Sequence, residues 1–210
     1  MQTSAPAIHD HHVDLDAALD FINTLDLDES QLVEHFVEPS DARTWFTDHG
    51  LVHPDVRPRW TGADLDHVRD LRRALRDVVE AVVDERRPGP GSVDLVNRAL
   101  EGRRPPRLVL DGTAVRIGHR HAEAPIDDAL AVIAEAIVGE LATGRPERFR
   151  VCANDRCRWT FFDSSPTGRR RWCDMATCGN RAKAARHRAR AKASTTPATT
   201  PQPGPTAARG

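Results

Sequence analysis

The chain has 210 residues, 39% hydrophobic and 29% charged, with a formal net charge of −1. That length allows one ordinary domain and a small module beside it, and no apolar run approaches the roughly 18 residues of a membrane span. The near-neutral total conceals two parts of opposite sign. Residues 1–144 carry 27 Asp/Glu against 15 Lys/Arg, a balance of −12, whereas residues 145–192 carry 14 Lys/Arg against 4 Asp/Glu, a balance of +10. An anionic partner is therefore expected for the C-terminal part alone.

Met1 to Leu25 is acidic and His-rich, and its first part, Met1 to His12, reads as a solvated, disordered start. His9, His11 and His12 could hold stray metal, but a terminus without a role is the simpler reading. The stretch to Leu25 lacks a basic region followed by an apolar one, so no secretion signal is read there and a cytoplasmic chain is expected. Asp14 to Leu25 then shows helical periodicity, with Leu15, Ala18, Leu19 and Ile22 on one face and Asp14 as a cap. Within it, Asp20 and Asn23 stand in apolar surroundings. They admit two readings: a helix end, with Asn23 and Thr24 bonding free carbonyls, or a small ligand pocket lined by Asp20 and Asn23.

Ser40 or Asp41 can cap a short helix to Asp48, closed by Gly50, and Pro54 and Pro58 mark a loop. Thr61 to Arg86 carries the longest apolar stripe, through Leu65, Val68, Leu71, Leu75, Val78, Val79 and Val82. Arg69, Arg72, Arg73 and Arg76 lie beside it among Asp66, Asp70, Asp77 and Glu80, and read as a solvated, ion-paired face. After the break at Pro88–Gly91, Ser92 can cap a helix through Leu100. Arg107–Leu110 and Ala114–Ile117 flank Asp111-Gly112, a hairpin signal. Pro125 to Leu141 is a second strong helix, ended by Gly144. The expected fold class is mainly α (α+β): a helical domain over 13–145 with one β-hairpin, a finger over 146–193 with a basic C-terminal helix, and a disordered tail over 194–210.

All four cysteines fall in the basic part, as Cys152-x4-Cys157, fifteen residues, then Cys173-x4-Cys178. Two close pairs joined by a medium loop suit one tetrahedral, four-sulfur zinc site, in which no position is left for a catalytic water. Disulfides would need an oxidising compartment; an iron–sulfur cluster remains the alternative for four thiolates. Four zinc-bound thiolates lower the local balance to about +8. Trp159, Phe161, Phe162 and Trp172 supply an apolar cap for a core too small to fold without metal. Beyond Cys178, Ala182, Ala185, Ala189 and Ala193 recur at helical spacing between basic residues.

Here the residues carry a resemblance. The Trp159…Phe162-Asp163 stretch, Arg171-Trp172-Cys173, and Cys178-Gly179-Asn180-Arg181 followed by Lys183 resemble the CGNR zinc-finger family, named for that tetrapeptide. Asp20-Phe21-Ile22-Asn23-Thr24 and Trp45…Gly50-Leu51 resemble the ABATE domain, which commonly precedes such a finger. The resemblance implies a DNA-binding module at the C-terminus of a stress-induced bacterial transcription regulator. Phosphate contacts are then expected from Arg169, Arg170, Arg171, Lys183, Arg186, Arg188, Arg190 and Lys192, and base contacts from Asn180 and Arg181. The N-terminal domain is expected to sense a small-molecule effector or to form a homodimer. An enzyme with an accessory zinc module, or a zinc module binding protein or RNA, is the alternative. Against an enzyme, the chain lacks H-E-x-x-H, G-x-S-x-G, Walker and dinucleotide patterns, and leaves no cysteine outside the metal set as a nucleophile.

Overall fold

The computed structural model describes residues 13–28, 31–52, 60–103, 107–118 and 125–194. The expected disordered ends, with His9, His11 and His12, and the loop at Pro54 and Pro58 lie outside the described residues. The elements in chain order are α1 (Leu15–Asn23), β1 (Leu25–Asp28), β2 (Gln31–Glu34), α2 (Pro39–Asp48), α3 (Gly62–Val83), α4 (Pro90–Glu101), β3 (Arg107–Asp111), β4 (Ala114–Gly118), α5 (Pro125–Ala142), β5 (Phe149–Val151), β6 (Thr160–Phe162) and α6 (Asn180–Ser194). The strands pair as three separate antiparallel hairpins, β1–β2, β3–β4 and β5–β6. The chain divides into two compact units, Met1–Cys173 and Asp174–Gly210.

Local signals account for the helix starts. Asp14 accepts the Ala17 N–H at 2.8 Å, and at α3 the Thr61 and Asp64 side chains cap each other's backbone N–H groups. At α2 the Asp41 carboxylate reaches back to the N–H groups of Val37 and Glu38. α4 is capped at Gly89 and starts at Pro90, ahead of the cap expected at Ser92, because proline is pre-set for the first helical position.

The core of the first unit is apolar and assembled from helical stripes. Phe21 and Ile22 of α1, Leu71, Leu75 and Val79 of α3, and Leu130, Ile133 and Ile137 of α5 all belong to it. Each such side chain contributes about 1.5–3 kcal/mol when buried. Phe21 sits edge-on to Phe46 at 6.0 Å and tilted to Trp45 at 5.5 Å, tying α2 to α1. The core extends past the expected boundary at residue 145: Phe149 of β5 is fully buried in it and Phe162 of β6 packs against it.

Two features depart from the sequence expectations. The hairpin β1–β2 was not expected; β1 alternates Leu and Asp and β2 reads Gln-Leu-Val-Glu, each too brief a pattern to separate from a helix end or a turn. The arginines of α3 are also not a solvated face. Arg72 is 1% exposed and grips the Glu34 carboxylate with both terminal nitrogens while donating to Thr24 Oγ1 at 3.1 Å. Arg69 donates to Phe36 O at 3.0 Å, and Arg76 to the carbonyls of Ile22 and Leu25 at 2.9 and 2.6 Å. The expected ion pairs are nonetheless present, Arg69 with Asp66 at 3.9 Å, Arg76 with Glu80 at 3.7 Å and the exposed Arg73 with Asp70. Burying a guanidinium is costly unless it is paired and hydrogen-bonded, and here the terminal nitrogens of Arg72 and Arg76 make those bonds and staple β1–β2 onto α3. Burial alone would raise the Glu34 carboxyl; the hydrogen bonds from Arg72 and the Phe36 N–H reverse this and hold it below its usual range.

Candidate metal centre and basic helix

The hairpin β5–β6 sets the frame of the cysteine cluster. Its register places Phe149 opposite Phe162 and Val151 opposite Thr160. Cys152 follows β5 directly and its N–H bonds to Trp159 O at 2.8 Å, continuing the ladder by one step. Between them the chain folds into a tight turn: the N–H groups of Cys157 and Arg158 both reach Asn154 O, at 2.8 and 3.1 Å, and Arg158 takes a left-handed φ of 50°. The returning segment is pinned by Ala153 N–H to Arg171 O at 2.8 Å. Asp174 then accepts the Thr177 N–H at 2.7 Å, opening a π-turn over Met175–Gly179 that carries Cys178 into the start of α6.

Asp163 is the polar hub of this loop, and residue type alone does not single it out. It is fully buried. Its carboxylate accepts the N–H groups of Ser165 and Arg170 at 3.0 and 2.8 Å. Burial by itself would raise this carboxyl; the hydrogen bonds from Ser165 and Arg170 hold it lowered. The Arg148 guanidinium spans the same turn, donating to the carbonyls of Asp163 and Ser165. It lies so close to Gly168, at φ +60°, that a Cβ there would meet it at 2.9 Å, which is why this turn needs glycine.

These constraints bring the four sulfurs together. Cys152, Cys157, Cys173 and Cys178 have Sγ atoms all within 4.8 Å of one another. The Cys157–Cys173 pair is 3.7 Å apart, far beyond a disulfide bond of about 2.05 Å. It matches the edge of about 3.8 Å of a tetrahedron with zinc–sulfur bonds of about 2.3 Å. Cys152 and Cys178 are buried and the other two half-buried. Without a cation such crowding opposes ionisation: the hydrogen bond with Cys152, then burial, then the neighbouring thiols push Cys173 up. Four converging sulfurs that cannot all be thiolates alone are a donor set for one divalent ion with no open position, a structural zinc.

The aromatic residues divide their roles. Phe161 is buried beneath the Arg170 guanidinium, 4.9 Å above its ring, and Trp172 lies under Arg171 at 5.3 Å. Phe162 meets Phe149 edge-on at 5.4 Å, on the side facing the helical core. Of the basic residues expected on phosphate, Arg170 is engaged inside the finger, where its guanidinium also bonds Cys173 O. Arg169, Arg171, Arg181, Lys183, Arg186, Arg188 and Arg190 are exposed. Asn180 donates its amide nitrogen to Ala176 O at 3.0 Å.

Asp20 and Asn23 both lie on α1 but differ in burial. Asp20 is exposed on α1; partial desolvation raises its carboxyl, with His49 opposing and Asp16 and Asp14 adding to the shift. Asn23 is buried and pairs with the backbone of Thr160 in both directions, its nitrogen to Thr160 O at 2.8 Å and its oxygen from Thr160 N–H at 2.9 Å. The amide thus mimics a neighbouring strand along β6. A cavity of 230 Å³ in the helical body is lined by other residues, among them His67, Leu71, Leu95 and Arg98.

Among the described residues, no helix is long and apolar enough to cross a membrane. No curated protein matches the chain when sequences are compared directly. Family comparison matches residues 148–191 to the CGNR zinc finger, the segment that holds the four cysteines and most of α6. Residues 15–145 match the ABATE family, described as "Putative stress-induced transcription regulator". The helical body that buries Asn23 against the finger hairpin is thus the ABATE domain, and the chain belongs to the ABATE family, with a CGNR finger built on one structural zinc as its C-terminal module.

Proposed function

We propose that the chain is a transcription regulator that binds duplex DNA through α6 and the loop before it. The observation that carries this reading is the composition and exposure of α6. Its 15 residues hold Arg181, Lys183, Arg186, Arg188, Arg190 and Lys192 and no acidic residue. A helix whose only apolar side chains are alanines, with like charges at i, i+4 such as Arg188 and Lys192, gains little from apolar packing and loses by repulsion. A polyanion removes that repulsion. Arg169, Arg171, Lys183, Arg186, Arg188, Arg190 and Lys192 act on phosphates. Arg181 at the helix start is the base reader, since its fork suits guanine. Asn180 has its amide nitrogen on Ala176 O, so we assign it to holding the helix start rather than to adenine, which needs both amide atoms. Arg170 likewise serves the metal loop. The ABATE domain, with its acidic balance, stays off the phosphates.

Fluorescence anisotropy of the zinc-loaded full chain on selected and random duplexes tests this. Each phosphate-contacting residue changed to Ala should weaken binding on all sequences and flatten the log–log salt slope by about one. Arg181→Ala should cost roughly 1–3 kcal/mol on the preferred site and much less on random DNA. No binding at low salt, or binding unaffected when Arg186, Arg188 and Arg190 are neutralised together, overturns the DNA reading.

A further inference from the structure

The hairpin β3–β4 turns at Gly112-Thr113, with Gly112 at φ +62°. A lone two-stranded hairpin is marginal in water, and this one carries apolar residues outward. Leu108 and Leu110 are each 76% exposed and Val115 is 62% exposed. Leu108 and Leu110 share a face by strand alternation, and Val115 stands directly opposite Leu110. The three therefore make one patch rather than scattered surface residues. Among the described residues no second strand pairs with the other edge of β3, and such an edge offers a row of donors and acceptors to another strand.

The order of residues along β3 indicates which strand that is. Arg107-Leu108-Val109-Leu110-Asp111, set antiparallel to a second copy of itself about Val109, places position 107 against 111 and 108 against 110. Opposite charges and leucine pairs at directly opposed positions are both favourable. β4 lacks this property: antiparallel pairing of Ala114–Gly118 with itself about its centre would set Arg116 against Arg116. A two-fold interface requires a surface that complements itself, and β3 meets that condition.

We infer that β3 is a homodimer edge. Two copies pair β3 antiparallel about Val109 into a four-stranded sheet in the order β4-β3-β3-β4, with the leucines and Val115 of both copies continuous on one face. The inference stands apart from the DNA reading, because it concerns a different element and a partner identical to the chain itself.

Sedimentation velocity of the zinc-loaded full chain over a concentration series tests it, with circular dichroism confirming that each variant keeps its helices. The wild-type chain should show a reversible monomer–dimer equilibrium. Asp111→Arg, which sets like charges at both symmetry-related pairs, should raise the dissociation constant by at least about tenfold. Leu108→Thr, which keeps a strand-favouring residue, should also weaken the dimer. Adding Arg107→Asp to Asp111→Arg should restore it, since only the order of the charges is then reversed. A wild-type chain that is monomeric throughout, a dimer indifferent to Asp111→Arg and Leu108→Thr, or a charge exchange that restores nothing overturns the inference.

Discussion

In residues 15–142 the large buried side chains include Phe21, Phe36, Phe46, Leu75, Leu130, Ile133 and Ile137, with Arg72 among them. In residues 149–173 the buried set is Phe149, Cys152, Thr160, Phe161 and Asp163. The first is held by area removed from water, spread over many contacts, so no single atom dominates it. The second has too few apolar residues for that. It concentrates its stability in a sulfur cluster, one buried carboxylate that organises a loop, and one face of a hairpin lent to the neighbouring core. A diffuse core tolerates change by degrees, whereas a concentrated one fails at particular atoms.

Metal removal should separate the two regions most sharply. Structural zinc is worth on the order of 10 kcal/mol in such modules. Chelation, or Cys152→Ser, should therefore expose the amides of residues 152–179 to hydrogen exchange while α3 and α5 stay protected. Elemental analysis should find one zinc per chain before chelation and none after. Loss of protection in α3 and α5 together with the finger would show that the two regions are one cooperative unit.

Within the body, Ile133→Ala should cost about 2–5 kcal/mol, because Ile133 is fully buried and a cavity is left behind. Urea unfolding of the zinc-loaded chain should show a lowered midpoint with zinc still bound. Release of zinc at that same midpoint would show that the body and the finger unfold together.

Asp163→Ala should cost roughly 3 kcal/mol, by stranding the N–H groups of Ser165 and Arg170. Because the folded carboxyl lies below its ordinary value, its contribution is fully present above the unfolded value near about 4. It is lost as pH falls through the lower folded value. Asp163→Asn should therefore lose stability at neutral pH and differ less from the wild-type chain in acid. A difference between the two chains that is constant with pH would remove Asp163 from this role.

The smallest effect expected is at the joint between the regions. Asn23→Ala removes both hydrogen bonds to Thr160 and should cost roughly 2 kcal/mol in the zinc-loaded chain. In the chelated chain the cost should shrink, because Thr160 then no longer has a fixed place. Equal costs in both states would show that β6 holds its position on α1 without the metal.

The contrast also explains what could be read in advance. Helices α1, α3 and α5 follow from apolar spacing, and their starts from Asp14 and Thr61, because those signals act within one or two turns. The four thiols were legible because metal chemistry admits few residue types and few spacings. The stretch at Asn23 was legible only as a choice, since a helix end and a pocket call for the same polar residues.

Sequence alone determined the composition of each region: apolar stripes in the body, paired cysteines in the finger, and a run of Arg and Lys after Cys178 with no acid among them. Tertiary structure decided where the polar atoms were spent. Arg69, Arg72 and Arg76 read as a charged face because their spacing places them on one side of α3, yet Glu34 and the carbonyls of Ile22, Leu25 and Phe36 draw them inward. Asn23 finds its partner 137 residues along the chain, a separation at which no local pattern carries information. A hydrogen bond is directional and short, so its partner is settled only when packing has fixed both groups in space, whereas hydrophobic burial is non-directional and leaves its mark in the order of residues along the chain.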